Sequence, residues 1–294
     1  MYSSQEQLHK RLGSGNISSG YLWFQGDPVA CAGAASMKAT EIVSLMYHEI
    51  RIPHRPLSRS DQGYRSYAVD LCNYEAQLTY LKQIGILVYA ISDLLNRECA
   101  QPGLIITFDD GSETDLSEAA PLLCEMGFPA IFYIVAGFVG QRGYLSSIQL
   151  RNLANMGFEI GSHSMTHAFL TDLPQKQLHE ELAGSKAHIE QIIGKSVDHF
   201  SCPGGRWNKE IGDLARKAGY RSMATSRIGV NSHLTDPFQL ARIPILAKTK
   251  LDEFRDLIAG RGLFRRRVKS TALNAAKWTL GNQLWHKIYQ TFPR

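Results

Sequence analysis

The chain has 294 residues, 20% of them charged and 44% hydrophobic, the balance of an ordinary globular protein with room for one large domain or two small ones. No stretch approaches the ~20 consecutive apolar residues that span a bilayer. The net charge of +5 sits at one end: Gly260 to Arg294 holds eight Lys or Arg and no Asp or Glu, which leaves about −3 for residues 1–259 and argues against a nucleic-acid-binding body.

Residues 1–36 are rich in Ser, Gly and Ala and show no helical or strand period. They read as a flexible leader or as an added segment, with "SGYLWFQGDP" resembling a cleavable-tag scar and Met37 as a candidate native start. They lack the cationic start and continuous apolar core of a secretory signal, and an export signal removed with a replaced N-terminus stays open. The five cysteines, Cys31, Cys72, Cys99, Cys124 and Cys202, are odd in number, widely spaced and without a C-x-x-C. That spacing predicts a reducing, cytoplasmic compartment.

From Glu41 a rhythm begins: an amphipathic segment ends in glycine and an apolar run follows. It recurs at "LTYLKQIGILVYAI", "PLLCEMGFPAIFYIV", "RNLANMGFEIGSH", "IEQIIGKSVDHFSC" and "LARKAGYRSMATS". Gly85, Gly127, Gly157, Gly194 and Gly219 stand where a left-handed residue closes a helix. Asp115–Met126 has Leu116, Ala119, Ala120, Leu123 and Cys124 at helical spacing, with Pro121 inside. Each apolar run has the length and continuity of a strand covered on both faces. "EIVSLMYH", "GLIITFDD" and "QLARIPI" add further strands. Strands alternating with helices imply parallel pairing, and about seven or eight such units point to a barrel more than an open sheet. No Gly-x-Gly-x-x-Gly follows the first strand, which weakens a dinucleotide fold.

Polar residues collect at the C-terminal ends of these strands. "SLMYHE" ends in His48, "IITFDDG" in Asp109 and Asp110, "FEIGSHSMTH" in His163 and His167, and "HFSCPGG" in the turn Pro203 to Gly205. In a β/α barrel such ends converge on one rim. Asp, His and His there suit a three-ligand metal site with one position open, the pattern of catalytic zinc. His163 and His167, four apart, share a face in one helical turn or a tight loop like it. Gly111 permits an unusual turn through which both aspartates reach one cavity, one to bind metal and the other to take a proton from the attacking water.

"TFDDG", "HSMTH" and "FSCPGG", in that order, resemble the polysaccharide deacetylase family, the NodB-homology fold of carbohydrate esterase family 4. The resemblance runs from about Ile42 to about Ile245 and includes "MYHEI", "FPAIFYIV", "ELAGSK" and "LARIPI"; "MYHEI" looks most like the branch acting on exopolysaccharides such as poly-N-acetylglucosamine. It implies a distorted (β/α)7 barrel over residues 37–259. It also implies a hydrolase that removes N-acetyl groups from an N-acetylhexosamine-containing glycan or exopolysaccharide precursor, using one divalent metal. Zinc is the expected ion, with Co2+, Ni2+ or Fe2+ as alternatives. Carried over by motif, Asp109 is the base, and Asp110, His163 and His167 are the ligands.

The sequence departs from the family pattern in three motifs. Ser201 follows Phe200 where an Arg usually orients the catalytic aspartate, so Arg206 or Arg242 is left to supply that charge. Gly204 stands in place of a Tyr whose backbone N–H helps hold the oxyanion, a task that Gly204 and Gly205 can share. The fourth motif, usually with Asp and Trp, reads "SMATSRIGVN", and the fifth, "LARIP", lacks the usual acid His. His48 is the candidate acid. Competing readings are an inactive glycan-binding relic and an amide hydrolase on a non-sugar substrate. Residues 260–294 are expected to form a basic amphipathic helical tail, packed on the barrel or touching an anionic membrane surface. The expected partner is the N-acetylated glycan, with no nucleic acid, and the protein itself is expected to be a monomer.

Overall fold

Seven strands frame residues 41–261, the part of the chain that the computed structural model describes. They are β1 (Ile42–Tyr47), β2 (Gly103–Asp110), β3 (Ile131–Ile134), β4 (Glu159–Ser162), β5 (His199–Ser201), β6 (Ser222–Ala224) and β7 (Ile243–Pro244). All pair in parallel in the order β7-β1-β2-β3-β4-β5-β6. The segment entering β7 closes the ring. The Leu240 N–H donates to the Met223 carbonyl at 3.1 Å and the Thr225 N–H to the Leu240 carbonyl at 2.9 Å, while Ile243 pairs with Leu45 of β1. The architecture is the expected distorted (β/α)7 barrel.

Parallel neighbours need crossover connections, and helices supply them: α1 (Leu71–Gln83), α2 (Ala120–Met126), α3 (Ser147–Asn155), α4 (Ser185–Ile193) and α5 (Lys209–Lys217), with α6 (Leu251–Ile258) after β7. Their starts are written locally. Ser146 Oγ accepts the Gln149 N–H at 3.3 Å while Gln149 Oε1 accepts the Ser146 N–H at 2.8 Å, a reciprocal cap for α3. The helix expected over Asp115–Met126 is instead a π turn, Asp115–Ala119, followed by α2, which puts Pro121 in the first α turn, where its missing N–H does no harm. The run after Gly85 forms only Leu87–Val88, paired beside the start of β2 and outside the ring.

Alternation along the strands divides the core. Leu104, Ile106 and Phe108 of β2 join Val43, Leu45, Phe132, Phe200 and helix residues such as Leu78, Leu123 and Ile189 in the main cluster between barrel and helices. Ile105 joins Ile42, Ile131, Tyr133, Ala224 and Leu240 in a second cluster that fills the ring. Above that apolar plug the inward positions of β2 become Thr107 and Asp109. The predicted leader of residues 1–36 and the predicted tail beyond Arg261 lie outside the described residues. Among the described residues no helix is long and apolar enough to cross a membrane.

Candidate functional site

Adjacent residues on a strand face opposite ways. Asp109 continues the inward series of Ile105 and Thr107, so Asp110 should face the helices. It does not, because its φ is +81° and that of Gly111 is also +81°. This left-handed excursion swings the Asp110 carboxylate back over the rim, at about 1–3 kcal/mol for a non-glycine residue. A Cβ on Gly111 would stand 3.1 Å from Ile134 Cδ1, so space as well as φ favours glycine there.

Asp109 is locked by Arg242. The guanidinium donates from Nη1 to Oδ1 at 2.7 Å and from Nη2 to Oδ2 at 2.8 Å, and both side chains are buried. The pair spans the barrel interior. Arg242 also donates to Thr107 Oγ1 at 3.2 Å, to Ser201 Oγ at 2.8 Å and from Nε to the Thr225 carbonyl at 3.1 Å. Burial alone would raise the Asp109 pKa. The charge of Arg242, with His163 nearby and the two Arg242 hydrogen bonds, outweighs it and holds the carboxyl below its usual range. Ser201, where the family pattern expects an arginine, instead links this pair: its hydroxyl donates to Asp109 Oδ2 at 3.3 Å and accepts from Arg242. Arg206, the other candidate for this charge, does not serve it. Its guanidinium lies 4.1 Å from the centre of the Phe169 ring and 3.7 Å from Asp172.

Asp110, His163 and His167 come together with donor atoms all within 4.8 Å of one another. Asp110 Oδ1 lies 3.5 Å from His163 Nε2 and 3.3 Å from His167 Nε2. It is buried, and neither contact has the direction of a hydrogen bond, so it has no such partner. The His163 Nδ1 stands 2.8 Å from the Ser201 carbonyl. A carbonyl only accepts, so Nδ1 carries the proton and Nε2 keeps its lone pair toward Asp110. Burial pushes the His163 pKa down to about 4, outweighing the Asp109 and Asp110 carboxylates, so the ring is neutral near pH 7. For Asp110, burial would raise the pKa, but the His167 contact and the neighbouring imidazoles hold it far below the usual range. A buried carboxylate oxygen without a hydrogen bond, facing two imidazole nitrogens, fits a divalent cation.

The remaining predicted residues fall around this centre. His48 follows β1, its ring 4.4 Å from that of Tyr67, with Nδ1 buried and unpartnered. Burial lowers its pKa below 6.5, against the pull of the Asp110 and Asp109 carboxylates. The Pro203–Gly205 turn leaves β5 directly after Ser201 and Cys202, with Gly204 exposed at φ +61°. Gly205 is a correction: its N–H is taken by the Cys202 carbonyl at 2.8 Å, so Gly204 alone of the two is left for an oxyanion. The H-x-x-x-H stretch is a loop and not a helical turn, with Ser164 and His167 at positive φ. Sequence reasoning passed over three buried acids, Glu49, Asp115 and Glu181. Glu49 holds Arg55 at 2.5 Å and the Ser58 N–H at 2.9 Å. Asp115, with neither oxygen hydrogen-bonded, has its pKa raised well above normal by burial and by Glu49. No local pattern singles out these two: Glu49 lies in "YHEIR" and Asp115 in "SETDLSEAA".

The profile of the polysaccharide deacetylase family matches residues 97–223, from before β2 to within β6. Over this stretch the chain is similar to the polysaccharide deacetylase family. Two relatives extend the match. YxkH of Bacillus subtilis (strain 168), described as a polysaccharide deacetylase, is 27% identical over 213 residues, 71% of this chain and 72% of its own. A poly-beta-1,6-N-acetyl-D-glucosamine N-deacetylase of Staphylococcus aureus (strain MRSA252) is 22% identical over 207 residues, 63% of this chain and 71% of its own. The crystal structure of a polysaccharide deacetylase from Bacillus cereus superposes with a TM-score of 0.65 at 25% identity, covering 75% of this chain and 69% of that one. The likeness to that structure thus extends to the barrel fold.

Proposed function

We propose that this protein is a metal-dependent N-deacetylase that hydrolyses the acetamido group of N-acetylglucosamine units in a glycan, with an exopolysaccharide as the favoured substrate class. The observation that carries the reading is the difference between neighbours: Asp110 Oδ1 accepts no hydrogen bond and faces two imidazole nitrogens, while Asp109 is tied to Arg242. The named N-acetylglucosamine deacetylase among the relatives supports the substrate class.

Asp110, His163 and His167 would hold the ion, for which an oxygen and two imidazole nitrogens suit Zn2+. When bound, the ion polarises the acetyl carbonyl and acidifies water beside it. The chain's own residues do the rest. Asp109, ionised and fixed by two Arg242 bonds, accepts the proton of the attacking water. The Gly204 N–H, on an exposed turn at the rim, donates to the oxygen that becomes negative. The amine leaves only when protonated, and His48 is the imidazole placed to deliver that proton. Acetate and a free amino sugar are the products.

The test is acetate release from oligomers of β-1,6-linked and β-1,4-linked N-acetylglucosamine, with bound metal measured on the same sample. Release that depends on the metal and favours the β-1,6 oligomer is the expected result. Metal binding without release from either oligomer would point to a binding protein and overturn the proposal.

A further inference from the structure

The loop carrying both histidines is held from behind by a carboxylate that touches neither of them. Glu181 lies in a π turn, Glu180–Gly184, that leads into α4, and it is 5% exposed. Its Oε2 accepts the Met165 and Thr166 N–H groups, each at 2.9 Å, and its Oε1 accepts the Thr166 hydroxyl at 2.5 Å. These three bonds all go to the three-residue link, Ser164 to Thr166, between His163 and His167.

That link is pinned from the other side as well. The Ser164 and Met165 carbonyls accept the Ala136 and Gly137 N–H groups, at 3.0 and 2.9 Å, from the exit of β3. The approach is close enough that a Cβ on Gly137 would stand 2.6 Å from the Met165 oxygen. The His167 N–H donates to Ser164 Oγ at 3.0 Å. Ser164 and His167 hold φ values of +69° and +61°. Such conformations cost about 1–3 kcal/mol each and persist only where the surroundings over-determine them. Here the carbonyls are fixed by β3 and the amides by Glu181, so the peptide planes between the histidines cannot turn. The π turn is part of the device. Its wider turn lets Ser185 Oγ donate to the Glu181 carbonyl at 2.6 Å while the Glu181 side chain reaches the loop, and such turns mark functional positions in helices.

We propose that Glu181 is a positioning residue for the metal centre: its carboxylate fixes the separation of His163 and His167, so that metal affinity depends on a side chain outside the ligand set. The inference rests on the reading that Asp110, His163 and His167 hold the ion. A merely structural Glu181 would lower stability and leave affinity alone.

The experiment is a zinc titration against a chromophoric chelator for the wild-type protein, Glu181→Gln, Glu181→Asp and Thr166→Val. Glu181→Gln puts an NH2 against N–H and hydroxyl donors, and loss of a partner behind the ligands typically weakens metal binding about 10–100-fold. That loss is expected, with folding retained by circular dichroism and a shifted visible spectrum in the cobalt-loaded protein. Glu181→Asp keeps the charge and should fall between it and wild type. A folded Glu181→Gln protein with wild-type zinc affinity and an unchanged cobalt spectrum overturns the proposal. Should Glu181→Gln not fold, Thr166→Val decides, because it removes only the hydroxyl bond. A loss of threefold or more supports the proposal and unchanged affinity overturns it. A wild-type protein that binds no zinc would overturn the metal site itself, an outcome distinct from failure of the Glu181 arm alone.

Discussion

Neighbouring aspartates with identical side chains meet different partners because one backbone angle differs: Asp110 at φ +81° faces the imidazoles, while Asp109 stays in the strand and meets Arg242. Replacing Asp109 with Asn should therefore keep the zinc and lower turnover by about 10²–10⁴, the usual range for loss of a general base, as read from metal content beside kcat. Arg242→Met leaves a buried carboxylate unpaired, a change worth about 3–5 kcal/mol, measurable by denaturant unfolding. Without the guanidinium, burial wins and the Asp109 pKa rises, so the acidic limb of kcat/KM moves toward neutral pH; an unmoved limb would mean that Asp109 is not the base. As the proposed acid, His48 would act in its protonated form. Burial sets its pKa below 6.5, so the alkaline limb should begin below that pH. His48→Gln should flatten that limb and cut turnover at least tenfold with zinc content unchanged; near-normal turnover would move the acid role to Asp109. That Asp110, His163 and His167 come together was legible because their residue types stand at strand ends. The choice of Arg242 over Arg206 was not, because the contact crosses the barrel from β7 to β2 and no local spacing records it.

At the scale of elements, the strand ends away from the site carry their own polar cluster. Glu159, His199 and Ser222 are the first residues of β4, β5 and β6. His199 Nδ1 lies 2.9 Å from Ser222 Oγ, and Glu159 accepts the Ile91 and Ser92 N–H groups at 2.8 and 3.1 Å. Burial pushes the His199 pKa from 6.5 down to about 4, even with Glu159 Oε1 at 3.8 Å. The unfolded chain therefore binds this proton more readily than the fold does. The contribution is whole above pH 6.5, falls as pH drops toward 4, and reaches on the order of 3 kcal/mol. His199→Gln should flatten the acid limb of unfolding free energy between pH 6.5 and 4, whatever it does to stability at neutral pH; an unchanged slope would remove His199 from the acid response. The strands themselves were readable from glycine-terminated segments, and Gly127 and Gly194 do close α2 and α4 at φ +70° and +67°. The run after Gly85 was misleading. Its apolar residues looked doubly covered, yet Leu87 is 43% exposed, because pairing at the start of β2 gives it one neighbour and no helix on its outer face.

For the whole molecule, alternation of strands and helices announced a barrel, but how the ring closes was not visible in the sequence, because β7 is two residues long and its partner segment has no strand pattern. Closure depends on a buried amide. Asn231 donates from Nδ2 to the Ala241 carbonyl at 2.8 Å and to Ser44 Oγ at 3.1 Å, and its Oδ1 accepts the Ala241 N–H at 2.8 Å. Its backbone exchanges two bonds with Ile42, each at 2.8 Å. One residue thus joins the start of β1 to the segment entering β7, and the next residue after Ala241 is Arg242. Asn231→Ala leaves the Ala241 N–H and carbonyl buried without partners, at about 1–3 kcal/mol for each, so unfolding should come at clearly lower denaturant. The metal ligands stand on β2 and after β4, away from this seam, whereas the guanidinium that fixes Asp109 stands on it. Turnover should then fall well beyond any change in zinc affinity, as measured on the folded fraction. If affinity and turnover fell in equal proportion, the seam would be supporting the barrel as a whole and not the alignment of the base.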